Sequence, residues 1–328
     1  MKAFVMRSYG SPDDLELADV ATPVPGDDDV LVRVRATSVQ PYDWHHVRGE
    51  PRIARLLPGT LGLRRPGVEI LGADVAGEVA AVGRNVTGLA PGDGVFALVA
   101  GGGFAEYACV AAAEVAPLPR TLSFEQAAAV PLAATTALLA VRDDGRVRPG
   151  LRVLVNGASG GVGTFAVQLA AAMGAEVTGV CSGRNADLVR EIGATDVVDH
   201  TATDVTRGGR SADVVVDIAG GHPARAWRRV LTRDGALVVV GGPAGRWLQP
   251  AGHTFAALAL GPFVPQRIAV TDVVGNRDRR ANLLTLTEYL DDGRVVPVVD
   301  RSYPFAELPE ALRYSERGHA RGKVVVTL

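Results

Sequence analysis

Residues 152–163 hold the types and spacing best suited to chemistry in this chain. Residues 152–155, Arg-Val-Leu-Val, read as a short buried strand. They run into Asn156-Gly157-Ala158-Ser159-Gly160-Gly161-Val162-Gly163, a glycine-dense turn. Residues 164–173 then read as a helix with Phe165, Val167, Leu169 and Ala172 as its apolar positions. A strand, a glycine turn and a helix in that order set unpaired N–H groups and the positive end of a helix dipole beside a turn that a phosphate can approach. Glycine belongs there because a Cβ would keep the backbone away from a pyrophosphate. The spacing Ala158-x-Gly160-x-x-Gly163 is a dinucleotide fingerprint with alanine at the first glycine position. Ala158, Ser159, Gly160, Gly161, Val162 and Gly163 are therefore candidate contacts of a dinucleotide.

A site for NAD carries an acid about 20 residues beyond the glycines, at the tip of the second strand, to bond the ribose hydroxyls. Here the tip reads Val180-Cys181-Ser182-Gly183-Arg184-Asn185, and no carboxylate follows until Asp187. Ser182 offers a hydroxyl, and the Arg184 guanidinium suits a 2′-phosphate. A cation at the start of a helix opposes the dipole unless an anion sits nearby. The expected cofactor is NADPH.

The elements that position these groups follow from apolar runs. Residues 176–181, 195–198, 213–218 and 236–240 read as further strands separated by helical stretches, which implies a doubly wound parallel sheet of the Rossmann kind. Gly241 and Gly242 follow the last of these, at the carboxyl edge where open sheets bind ligands. Residues 1–118 differ in texture. Short alternating runs at 30–36, 75–82 and 104–110 are separated by turns such as Pro91-Gly92-Asp93-Gly94, giving a β-rich, partly barrel-like domain. Ser123 opens a helix to about 130, Pro131 interrupts it, and it resumes to about 141. A helix at 282–290 and strands at 295–299 and 324–328 return to the first domain. The expected division is 1–118 with 275–328, and 119–274.

Composition narrows the function classes. The 328 residues carry a formal charge of −2, which argues against a nucleic-acid or membrane surface. Lys2 and Lys323 are the only lysines, a mark of base-composition bias. Cys109 and Cys181 have no metal-ligand spacing and imply no disulfide framework. The N-terminal residues lack the apolar core of a signal peptide, and the apolar stretch 127–140 is short and holds Pro131, so a cytoplasmic chain without a membrane span is expected.

Several segments in order resemble the zinc-independent medium-chain dehydrogenases/reductases of the quinone oxidoreductase (zeta-crystallin-like) family. They are Ser38-Val39-Gln40-Pro41-Tyr42-Asp43-Trp44 with Arg48-Gly49, Leu71-Gly72-Ala73-Asp74-Val75-Ala76-Gly77, and Pro91-Gly92-Asp93. Gly103-Phe104-Ala105-Glu106-Tyr107, the glycine turn, and Arg321-Gly322-Lys323-Val324-Val325 complete the set. The resemblance implies an α/β protein, with a GroES-like β-rich catalytic domain and a Rossmann doubly wound parallel-sheet domain enclosing a cleft. Zinc-dependent relatives place a cysteine in the segment of Gln40, a His-Glu pair at Ala73-Asp74, and a Cys or His near 132–134. None of these is present here, so no metal is expected.

The resemblance also implies a reaction: hydride passes from NADPH to a quinone or to the β-carbon of an α,β-unsaturated carbonyl, and the protein steadies the developing oxyanion. Gln40, Tyr42 and His45 lie in the segment that lines the cleft in relatives and are the candidate catalytic residues. His45 stands where several relatives have a tyrosine. Thr136, Phe263, Val264 and Lys323 match positions near the nicotinamide. The run 268–274 matches an edge strand that pairs across a two-fold axis in relatives, implying a homodimer. Two other readings stay open. One is an enoyl-thioester reductase of lipid or polyketide synthesis, with Arg52, Arg55, Arg64 and Arg65 at its entrance. The other is a non-catalytic NADPH-binding protein.

Overall fold

The computed structural model describes every residue except 57–60, 210 and 244. The chain folds as two units, one comprising Met1–Leu132, Asn276–Asp292 and Pro297–Leu328, the other Ala133–Gly275 and Gly293–Val296. The sequence reading put 119–132 with the second unit. The helix Phe124–Ala128 instead packs on the strands Asp29–Val39 and Asp74–Val82 of the first.

The second unit is a six-stranded, wholly parallel sheet. Its order is Asp196–Asp199, Glu176–Cys181, Arg152–Asn156, Ala212–Asp217, Leu231–Val239, Arg267–Val270. The chain starts in the middle, builds outward to one edge, then returns to build the other half. The strand order therefore reverses between Arg152–Asn156 and Ala212–Asp217, the place where open sheets leave a crevice at their carboxyl ends. The strands are apolar on both sides because helices cover both faces. Trp227, Phe165, Leu169, Leu231 and Leu237 are fully buried in this unit. The last strand ends at Val270, so residues 271–274 lie outside the edge strand read from the sequence.

In the first unit the long strand Asp29–Val39 organises a seven-stranded sheet. It pairs with Asp74–Val82, Tyr107–Ala111 and Lys323–Thr327, all antiparallel. Lys323–Thr327 also takes the parallel strand Val299–Pro304. That strand begins where the sequence reading had one ending. Of the apolar run 295–299 only Val299 joins a strand; at Val296 the backbone is bonded to a side chain instead, the Gln168 amide donating to the Val296 carbonyl at 3.0 Å and accepting the Val296 N–H at 2.8 Å. Among the described residues no helix is long and apolar enough to cross a membrane.

Candidate active site

The glycine turn is built by close approach. Strand Arg152–Asn156 ends, Gly157 takes φ +90°, and helix Gly161–Ala172 begins with Gly160 as its N-cap. A Cβ on Gly163 would collide with the Gly157 carbonyl, so Gly163 is demanded by the packing of helix on turn. Gly160 is different. Its φ of −86° and ψ of 176° suit any residue, and a Cβ there would lie 3.5 Å from its nearest neighbour, Gly157 O. Among the described residues no side chain caps this helix. The N–H groups of Gly161, Val162 and Gly163 therefore face the space that a side chain at 160 would fill, without an intrahelical acceptor. That open cradle fits a pyrophosphate.

Ala158 lies beneath this cradle. Its methyl is fully buried, and its N–H, like that of Gly157, is donated to Val180 O at 3.0 Å. Its N–H is therefore taken up by the neighbouring strand. Alanine sits here opposite residue 179 of the next strand, which has no side chain: a Cβ on Gly179 would collide with Val189 Cγ1 at 2.3 Å and crowd the Ala158 methyl at 3.1 Å.

At the tip of Glu176–Cys181, Ser182 is half-buried and Arg184 is exposed. Among the described residues Arg184 makes no ion pair. Two groups near them escaped the sequence reading. Asn185 donates its amide to Ser159 Oγ at 2.9 Å and to Ser182 Oγ at 3.3 Å, tying the turn to the strand tip. Asp199, from the tip of the neighbouring strand, packs against Gly183. Bonds from the Thr201 hydroxyl and N–H and from the Gly183 N–H hold its carboxyl below the usual carboxylate range. An acid is therefore present at this edge, contributed by the third strand and already committed to backbone and hydroxyl donors.

The reversal point of the sheet is bridged by a buried carboxylate. Asp217 ends its strand with no solvent exposure and accepts four bonds. Asn156 Nδ2 at 2.7 Å and Gly220 N at 3.1 Å meet one oxygen, and Trp227 Nε1 at 3.0 Å and His253 Nε2 at 3.2 Å meet the other. Gly241 donates its N–H to the Asp217 carbonyl at 3.3 Å, and Gly242 packs against His253. The ends of the first, fourth and fifth strands are thus gathered together, with Gly241 and Gly242 packed against the end of the fourth and against His253. Thr136 is buried in helix Pro131–Leu138. Val264 is half-buried, and Phe263 is 83% exposed on the one-turn segment Gly261–Phe263.

In the first unit the candidate catalytic residues sit on or just before helix Pro41–Arg48, and the structure separates their roles. Gln40 is the N-cap and only 3% exposed. Its Nε2 donates to Asp74 Oδ2, and its N–H goes to Asp43 Oδ2 at 2.9 Å. The amide is buried, and one of its two N–H groups is thus committed to a carboxylate. Lys323 is engaged likewise. Its ammonium is buried 3.6 Å from Asp74, a carboxylate of its own unit. Ser38 Oγ and the Leu132 N–H complete the shell around Asp74. His45 lies against Trp44 with ring centroids 3.7 Å apart, and burial lowers its pKa. Tyr42 pairs with His46, which the sequence reading left out. The rings are 4.0 Å apart, and His46 Nδ1 is 2.8 Å from the Tyr42 carbonyl. Burial raises the Tyr42 pKa, so the phenol keeps its proton at neutral pH.

Residues 26–120 match the family described as the alcohol dehydrogenase GroES-like domain, and residues 192–326 match the zinc-binding dehydrogenase domain. The chain is 33% identical to NAD(P)H oxidoreductase RTN4IP1, mitochondrial, of Mus musculus, over 100% of this chain and 89% of that one. It is 31% identical to the chloroplast envelope quinone oxidoreductase homolog of Arabidopsis thaliana, over 99% and 98%. The solved structure of the quinone oxidoreductase from Coxiella burnetii superposes with a TM-score of 0.84 at 27% identity, covering 100% of this chain and 99% of that one. The chain belongs to the quinone oxidoreductase family of the medium-chain dehydrogenases/reductases, a family of oxidoreductases.

The buried carboxylates make a pH prediction. Burial, and then the charge of Asp74, push Asp43 from 3.8 up to about 7. The folded state therefore keeps a proton that the unfolded chain releases. The stability this contributes is complete at low pH and is lost as pH rises toward 7. Thermal denaturation from pH 5 to 8 should show wild type losing stability relative to Asp43→Asn as pH rises. Parallel profiles for the two proteins would contradict this account.

Proposed function

We propose that this chain is an NADPH-dependent reductase that delivers hydride to a quinone or to the β-carbon of an α,β-unsaturated carbonyl. The observation that carries the cofactor part is Gly160. The fold leaves room for a side chain there, and a serine would cap the helix, yet the residue is glycine and the first-turn amides stay open. In this reading Gly160 to Gly163 receive the pyrophosphate, Ser159, Ser182 and Arg184 the adenosine end, and Thr136, Gly241, Gly242, Phe263 and Val264 the nicotinamide end. The name of the mouse relative, an NAD(P)H oxidoreductase, supports the same cofactor class.

The bound nicotinamide would supply the hydride. The chain's part is to hold both partners and to stabilise negative charge on the acceptor oxygen. Tyr42 is the proton donor this reading favours, because its phenol stays protonated and Gln40 is committed elsewhere. Zinc is not part of the proposed chemistry, on the nature of the groups present. The oxygens of Asp74 are taken by Ser38, Gln40, Lys323 and the Leu132 N–H, so a cation would have to displace a buried ammonium. Without a Lewis acid, an electron-poor π-system is a better acceptor than a simple ketone. The enoyl-thioester reading loses one of its arginines: Arg55 donates to the carbonyls of Gly49 and Arg48 and lies over the Tyr9 ring.

The partner expected besides the small-molecule acceptor is a second copy of the chain. Strand Arg267–Val270 ends the sheet, and Phe263 near it is exposed. Sedimentation velocity should give twice the 34.1 kDa chain mass; a species of single-chain mass would exclude the dimer. Gly160→Ser should keep the thermal midpoint within a few degrees and weaken NADPH by about tenfold or more, read by calorimetric titration. Undiminished binding in that variant would remove the cradle from the proposal. Turnover should appear with quinones or enones and persist after chelator treatment. Oxidation of NADPH with enoyl thioesters alone would shift the assignment to the second reading, and none with any acceptor would favour a binding protein.

A further inference from the structure

Three side chains meet at the tip of the second parallel strand: Ser159 from the glycine turn, Ser182 from the strand end, and Asn185 from the start of helix Ala186–Glu191. Asn185 is 5% exposed. Its Nδ2 donates to both seryl oxygens. A hydroxyl has one proton to give and two lone pairs to receive with. Accepting from the amide occupies a lone pair on each serine and turns each O–H proton away from Asn185. One amide group thus holds two hydroxyls as donors, close enough together to address a single phosphate.

The other end of the same amide is unpaired. Asn185 Oδ1 is buried and has no hydrogen-bond partner among the described residues. A buried acceptor without a donor is costly and marks a position for a donor that arrives with a ligand. The three groups therefore present two donors and one acceptor. A ribose that carries a phosphate on one hydroxyl and keeps the other free offers the complement. The charged groups nearby are Arg184, exposed and without an ion pair among the described residues, and Asp199, whose carboxylate is occupied by Thr201 and Gly183.

We propose that Asn185 is the positioning residue for cofactor choice. It orients Ser159 and Ser182 to donate to the 2′-phosphate of NADPH, and its Oδ1 accepts the remaining hydroxyl of the same ribose. This inference rests on the NADPH reading given above. An NADH ribose, with no phosphate, leaves both seryl protons without an anion.

The test is calorimetric titration of the full chain with NADPH and with NADH, for wild type, Asn185→Asp, Asn185→Ala and the double variant Ser159→Ala/Ser182→Ala. A carboxylate at 185 accepts from both serines and turns their protons inward. Asn185→Asp should therefore weaken NADPH by about tenfold or more while NADH changes by less than about threefold. Asn185→Ala should reduce the NADPH preference by a smaller factor. A purely structural role would weaken both cofactors alike. An unchanged NADPH-to-NADH ratio in the Asn185 variants would overturn the inference. The double variant leaves the Asn185 amide in place, so it decides the matter if the Asn185 variants do not fold: loss of preference supports the inference, and retained preference refutes it. Failure of wild type to bind NADPH would instead bring down the cofactor reading itself.

Discussion

A carboxylate without access to water must be met by donors or give up its charge. At Asp217 it is met by four, from four separate parts of the chain, and the carboxyl edge of the parallel sheet is assembled around that requirement. Asn156 ties the first strand to the fourth across the reversal point. Trp227 brings in the core of the following helix, and Gly220 fixes the turn between them. His253 draws the start of helix Ala251–Leu260 over Gly242. Removing one donor would leave part of a buried charge unmatched, a large cost in a low dielectric. The glycine turn and Gly241 inherit their placement from this cluster.

The first unit solves a related problem with the opposite economy of groups. Two buried carboxylates, Asp43 and Asp74, face one ammonium, Lys323. Burial lowers the Lys323 pKa while both acids raise it. Asp74 receives the ammonium together with neutral donors, and Asp43 accepts the N–H groups of Gln40 and Gly72. The cluster joins the end of strand Asp29–Val39, the start of helix Pro41–Arg48, strand Asp74–Val82 and the last strand of the chain. Gln40 belongs to this scaffold, its side chain and backbone N–H both turned to buried acids.

The parallel sheet was legible in the sequence because each strand is an apolar run with its own turn signal, and residues 176–181 were read to the residue. The glycine turn was legible because strand, turn and helix are contiguous. What escaped depends on partners far apart in the chain. Asn185 reads as an ordinary helix-start residue until Ser159 is beside it. His253 carries no local mark of its bond to Asp217, 36 positions away. Lys323 resembles a cleft residue by position, and only the fold shows Asp74 against it. Residues 295–299 look like a strand by hydropathy, and the side chain that takes up the Val296 backbone, Gln168, lies 128 positions earlier. Polar pairing at long range leaves no periodic trace, whereas apolar burial does.

The exchange of methyl and hydrogen between Ala158 and Gly179 makes the fingerprint a shared property of two strands. Transplanting residues 156–163 into another parallel sheet would crowd the Ala158 methyl wherever the recipient has a side chain opposite 158, even with every glycine of the loop intact. The smallest portable unit of this turn includes the bare backbone at 179, some twenty residues downstream of the motif.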